Sequence, residues 1–249
     1  MGSEANLVFR VKTVTDEMRR EFREAMPFPH MIFDSFLDDF ALSEAEHELR
    51  TMPRSIWLAH HDPKFAGDVG EVQKRKFGLQ EPSALPLRAR DVMNFFSSPE
   101  ICQFFEDLTG IPDLQSDPTF AGGGVHNTEQ GGKLSIHADF NLHPETGKHR
   151  RLNALLYLNK AWKEDYAGAL ELWDREMQKC VRTVAPLFNR LVVFRITDDA
   201  FHGNPEPWDG PPGYSRLSFA FYYYTDDRPD DEKSEFHWAT WKYRPGRGW

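Results

Sequence analysis

Cysteine is scarce. Cys102 and Cys180 are the only two in 249 residues; they make no metal-ligand spacing, and a disulfide framework needs more of them. Two reduced thiols in a reducing cytoplasm are therefore expected. Long apolar runs are also missing: no 18 apolar residues are consecutive, and the opening MGSEANLVFRVK has no apolar core behind a basic region. Neither a membrane span nor an export signal is expected. Positive charge is in deficit as well. A net charge of −9 and a pI of about 5.6 give a nucleic-acid backbone little to hold. Membranes and nucleic acids are thus set aside as partners, while the oligomeric state is left open.

Aromatic residues, by contrast, are abundant. The 20 Phe and 7 Trp, with 17 Pro and 17 Gly spread along the chain, suit many short strands and turns better than a helical bundle. The length suits one domain over 1–249, with helical support over about 1–112, a β-rich body over about 113–225 and a tail over 226–249. Thr15 caps a predicted helix over Asp16 to Ala25, and Pro29 to Phe36 reads as a strand. Ser43-Glu44-Ala45-Glu46 forms a capping box for a helix running to about Met52. Trp57 to Gln80 reads as loop, a potential lid. Ala84 to Phe96 is helical in pattern, and Ser98-Pro99-Glu100 opens a further helix that should stop at Gly110. Strands are then predicted over 119–125, 133–140, 151–158, 169–173, 181–186, 191–196 and 217–225, the makings of a double-sheet jelly roll, mainly β with flanking helices.

Within KLSIHADF, His137 and Asp139 stand one residue apart in an alternating apolar run. On a strand they share one face, and Ile136, Ala138 and Phe140 take the other. Such a pair supplies two of the ligands of a two-histidine, one-carboxylate Fe(II) site. His202, in DDAFHGNP, is the candidate third. The pair alone is weak, since a His-x-Asp arises by chance about once in a chain of this composition. A second instance, His60 and Asp62, is followed by Pro63 in loop-like sequence with no strand to hold it. Arg216 adds weight: it opens the β-type run RLSFAFYYY, where an arginine among apolar neighbours needs an anion, and its planar fork can grip a carboxylate through two hydrogen bonds.

Taken together, GGKLSIHADFN, RRLNALLYLNKAW, GALELWD, FHGNP and SRLSFAFYYYT resemble the Fe(II)- and 2-oxoglutarate-dependent dioxygenases, more narrowly their prolyl 4-hydroxylase-like branch, over about Phe120 to Thr225. The resemblance implies a double-stranded β-helix (cupin-like jelly roll) with His137, Asp139 and His202 as metal ligands. It implies Fe(II) as cofactor, 2-oxoglutarate and O2 as cosubstrates, and ascorbate as an accessory reductant. Arg216 would bind the distal carboxylate of 2-oxoglutarate, and Ser218, on the same strand face, would add a hydrogen bond. Where relatives place a cosubstrate-contacting Tyr, this chain has His126 and Asn127, and Asn127 is carried as a candidate. The segment between His202 and Arg216 is longer than usual for the branch, which suggests a loop at the site mouth. A carboxylate at 139, where related halogenases have a small residue, implies hydroxylation.

Trp173, Tyr157 and Trp208 are candidate pocket aromatics, and Lys148, His149, Arg150 and Arg151 form a basic cluster that could attract an acidic substrate. The expected reaction is hydroxylation of an unactivated C–H of a small molecule, such as an amino acid or natural-product intermediate. A prolyl or other residue in a peptide is the alternative. A non-enzymatic metal-binding sensor and a zinc hydrolase remain as readings from other classes; the latter lacks a nearby HExxH-type base and leaves Arg216 without a role.

Overall fold

The computed structural model describes residues 12–59 and 67–249. The competing pair His60 and Asp62 lies outside them. Helix α1 (Asp16–Glu24) starts where Thr15 caps it, the hydroxyl accepting from the Met18 N–H at 3.2 Å. Strand β1 (His30–Phe33) and helix α2 (Asp39–Thr51) follow. Helix α2 begins earlier than the Ser43 capping box predicts, because Asp38 caps it through the Ala41 N–H and Ser43 falls inside the helix. After α3 (Arg54–Ala59) come β2 (Gly67–Val69) and β3 (Gln73–Leu79), so 73–79 is part of the sheet where loop was expected. Helix α4 (Leu87–Phe96) begins just beyond Pro86. Helix α5 (Pro99–Thr109) has the Ser98 cap and ends at Gly110 in the left-handed region, φ 71°, a conformation glycine adopts without strain.

The remaining strands are β4 (Gln115–Ser116), β5 (Gly124–Ala138), β6 (His149–Tyr157), β7 (Leu170–Trp173), β8 (Cys180–Val184), β9 (Leu191–Arg195), β10 (His202–Asn204), β11 (Arg216–Thr225) and β12 (Thr240–Trp241). They pair in the order β1-β9-β6-β11-β5-β10-β7-β8, with β3 and β12 also joined to β5. The named pairs are antiparallel, and the sheet curls into a double-stranded β-helix. Strand β11 illustrates why. Its odd-numbered side chains face the helices: Phe221 stacks on Phe96 at 4.2 Å between centroids, and Tyr223 packs edge-on against Phe105 and donates to the Phe96 carbonyl. Its even-numbered Arg216, Ser218 and Tyr222 line a cavity inside the roll. Two-residue periodicity thus divides one strand between a helix-backed core and a polar interior. A second apolar cluster, including Leu170, Val192 and Phe194, packs between the layers. Among the described residues no helix is long and apolar enough to cross a membrane.

Candidate metal centre and its cavity

Strand β10 pairs with β5 so that His202 stands directly opposite His137, their ring centroids 4.6 Å apart. Asp139 follows the last residue of β5. Each histidine donates from Nδ1 to a carbonyl two residues back, His137 to Ser135 and His202 to Ala200, both at 2.9 Å. A carbonyl can only accept, so the proton sits on Nδ1 and the Nε2 lone pair faces the cavity. The His137 Nε2 is 3.5 Å from one Asp139 oxygen and the His202 Nε2 is 3.4 Å from the other. Among the described residues these three form a buried cluster with ligand atoms all within 4.8 Å of one another. Ligands about 2.1 Å from a metal at right angles stand roughly 3 Å apart, so the donors, tautomers and spacing fit a divalent ion.

Protonation favours the same occupant. Burial, partly offset by Asp139, lowers the His202 imidazole to about 4, so it is neutral at pH 7 and able to donate a lone pair. Burial would raise the Asp139 carboxyl, but the Arg150 guanidinium and the two histidines outweigh it and hold it well below the usual range. Arg150 is clamped between the Tyr222 and Phe140 rings, 3.5 and 4.4 Å from their centroids. Its Nη2 lies 3.0 Å from Asp139 Oδ2, to which Asn153 Nδ2 donates at 2.7 Å. Arg150 also donates to the Asn153 Oδ1. The carboxylate is therefore oriented from outside before any metal arrives.

The cavity measures about 350 Å³, toward the small end of ligand pockets, roughly 300–1,000 Å³. At one side Arg216 is buried, with Nε donating to the Gly168 carbonyl at 2.7 Å and its Cζ 5.0 Å from the Tyr157 ring centroid. No acidic side chain among the described residues pairs with it, which fits a carboxylate ligand. Ser218 and Tyr157 line the same cavity, with the buried Tyr157 hydroxyl beside the Arg216 guanidinium.

Several expectations change here. Asn127 does not reach the cavity: it pairs with Leu217 and Phe77 on the opposite face of the sheet, and His126, one residue earlier, is the lining residue. Trp173 is packed with Ile136 and Met177, and Trp208 is wholly buried beside Gly168 and Tyr214, so neither lines the cavity. The 204–214 segment is strapped to the middle of β5 through Gly131–Trp208 and Trp208–Gly132 backbone bonds, so the turn expected at 130–132 is strand instead. It lies against the wall instead of over the mouth. The basic cluster is no surface patch either, since Arg150 points inward and Arg151 is buried against Glu232. Tail residues add to the cavity wall: Trp238, Ala239 and Trp241 line it, and β12 pairs with β5 so that Trp241 sits opposite His137. Sequence reasoning also missed Lys76, Gln73 and Asn153 as lining residues; an amide inside the apolar run LNALLYL was the signal available for Asn153.

Residues 123–224 match the 2OG-Fe(II) oxygenase superfamily. A prolyl 3-hydroxylase of Mus musculus is 30% identical over 86 residues, covering 33% of this chain and 15% of that protein. The fold is shared with a Pseudomonas putida prolyl-4-hydroxylase (TM-score 0.55, 17% identity, covering 83% of this chain and 98% of that one). It is shared too with a Trichoplax adhaerens prolyl hydroxylase in complex with a hypoxia inducible factor peptide (0.58, 15%, 83% and 87%). HygX of Streptomyces hygroscopicus, with nickel, 2-oxoglutarate and hygromycin B bound, is a further match (0.56, 12%, 91% and 97%). Over residues 123–224 the chain is therefore similar to the 2OG-Fe(II) oxygenases, on a fold shared with prolyl 4-hydroxylases, and His137, Asp139 and His202 form a cluster that could hold a metal ion.

Proposed function

We propose that this oxygenase hydroxylates an unactivated C–H bond of a small molecule, with His137, Asp139 and His202 holding Fe(II) and Arg216 and Ser218 receiving the distal carboxylate of 2-oxoglutarate. Bound Fe(II) and 2-oxoglutarate, with O2, supply the oxidising power. This chain's residues do the rest. His137 and His202 turn their Nε2 atoms to the cavity, Arg150 and Asn153 keep Asp139 ionised and aimed, and Leu155 and Leu170 give the cavity an apolar wall. The observation that carries the small-molecule reading is the limited cavity, part of whose wall comes from Trp238, Ala239 and Trp241. A peptide substrate is the second reading, favoured by the exposed Phe236 and Trp238 at the rim, 46% and 53% accessible, and by the prolyl hydroxylases among the relatives. Succinate formation screened against free acids and amino acids and against proline-containing peptides decides between them; stimulation by peptides alone would sink the small-molecule reading.

Gly203 tests the ligand geometry without touching a ligand. A Cβ there would stand 2.7 Å from the Ser135 carbonyl oxygen and 2.8 Å from that of Leu134, closer than carbon and oxygen tolerate. Gly203→Ala is expected to push β10 off β5 and carry His202 with it, weakening Fe(II) binding about tenfold or more. An unchanged Fe(II) titration would show that His202 is not held by this strand pairing.

A further inference from the structure

We infer that the face of the cavity formed by Lys76, Gln73 and Asn204 is an oxyanion subsite, and that the substrate of this oxygenase carries a carboxylate, phosphate or sulfate group bound there. The inference rests on the oxygenase reading above and names the substrate class of the same site.

Two buried amide donors without acceptors among the described residues, and the ammonium of a buried lysine, open onto this cavity. Lys76 is 7% exposed and Gln73 5%, and both line it. Gln73 Nε2 and Asn204 Nδ2 are buried and unpaired among the described residues, and Lys76 makes no ion pair there, feeling Asp139 only at longer range against Arg216 and Arg150. A buried donor left so is costly unless a ligand satisfies it. The sheet brings the three together. Gln73 and Asn204 flank Leu134 of β5 from either side, in one row across β3, β5 and β10. Lys76 is three residues beyond Gln73, a spacing that would put it on the opposite face of a regular strand. The register shifts between Lys74 and Lys76, and Arg75 takes φ 46°. That bulge turns Lys76 back to the interior, where it pairs with Thr128.

Charge pairing shows that this cation is spare. Among the described residues Asp139 is the only acid lining the cavity, and it is already engaged by Arg150. In a loaded site Fe(II), Arg150, Arg216 and Lys76 would carry about five positive charges against about three negative ones from Asp139 and dianionic 2-oxoglutarate. Lys76 then remains without an anion. Its ammonium is weakened by burial to about 8, as befits a group whose counter-ion arrives with a ligand. The same inventory offers no acid to an ammonium group, so the fitting substrate is an anion without a free amine to satisfy, in place of a zwitterionic amino acid.

The test uses protein loaded anaerobically with Fe(II) and saturating 2-oxoglutarate, titrated calorimetrically with acetate, inorganic phosphate and sulfate. At least one probe is expected to bind. Lys76→Met should weaken it about tenfold or more, the loss of a charge-assisted contact, and Gln73→Leu by a smaller factor. Both variants should melt no lower than the native protein, since each removes a buried polar group. Preference for acetate assigns a carboxylate, and preference for phosphate or sulfate assigns a tetrahedral oxyanion. The subsite is overturned if no probe binds the loaded protein or if binding persists in Lys76→Met. It is overturned equally if Lys76→Met weakens 2-oxoglutarate itself tenfold, because Lys76 would then belong to the cosubstrate. Failure of the native protein to bind Fe(II) and 2-oxoglutarate is a separate outcome that removes the oxygenase reading and the subsite together.

Discussion

His137→Ala or His202→Ala should empty the site of Fe(II) and reduce 2-oxoglutarate-dependent succinate formation to background. Removing a group that only orients a metal ligand costs roughly 10- to 100-fold in affinity or activity, and removing a ligand should exceed that range. The fold should survive. Both histidines are buried but lie at the cavity, and each forfeits one hydrogen bond to a neighbouring carbonyl, a net loss of about 1 kcal/mol and hence a few degrees in melting temperature. Metal stoichiometry, succinate yield and a thermal melt on the same preparations check the three parts. Succinate at the native rate in either variant would show the ligand assignment to be wrong.

For Arg216→Ala the expected loss falls on 2-oxoglutarate. A bidentate, charge-assisted contact in a buried site is worth about 2 to 5 kcal/mol, or on the order of 30-fold or more in affinity, and Fe(II) binding should change little. Arg216 also packs: its Cδ lies near Gly168, and its Nε satisfies the Gly168 carbonyl. The substitution Arg216→Lys separates these contributions. It keeps charge and most of the stem but not the fork, so half-rescue of the cosubstrate requirement points to geometry. A half-saturating 2-oxoglutarate concentration unchanged in Arg216→Ala removes the residue from the cosubstrate site.

The parts of the molecule that were legible in its sequence are those where one local pattern dominates. The alternation up to His137 gives the end of β5, although Asp139 falls just past it and Phe140, expected on the other face, lines the cavity as well; Ser98, Pro99 and Gly110 mark both ends of α5. Where two patterns overlap, reading fails. In β3 the bulge at Arg75 breaks the two-residue period, so QKRKFGL looks like charged loop although Gln73 and Lys76 both face inward. Strand β10 spans only His202 to Asn204 and is too short to carry a period at all. Asn127 was misplaced because a one-residue offset in a strand reverses the face. Trp208 reads as a pocket residue in the sequence, since its burial depends on Gly168, Gly210 and Tyr214, which only folding brings beside it.

Strand β12 completes the cavity from the far end of the sequence. Translation delivers His137, Asp139, His202 and Arg216 before Trp238 and Trp241, the residues that line the cavity from the tail and set a strand beside His137. A nascent chain still tethered to the ribosome short of residue 241 therefore has its metal-binding side chains but no finished pocket. Until this strand docks, Trp241 is not set beside His137 and the cavity lacks that part of its wall. For the same reason, fusion partners and affinity handles belong away from the strand that completes the site.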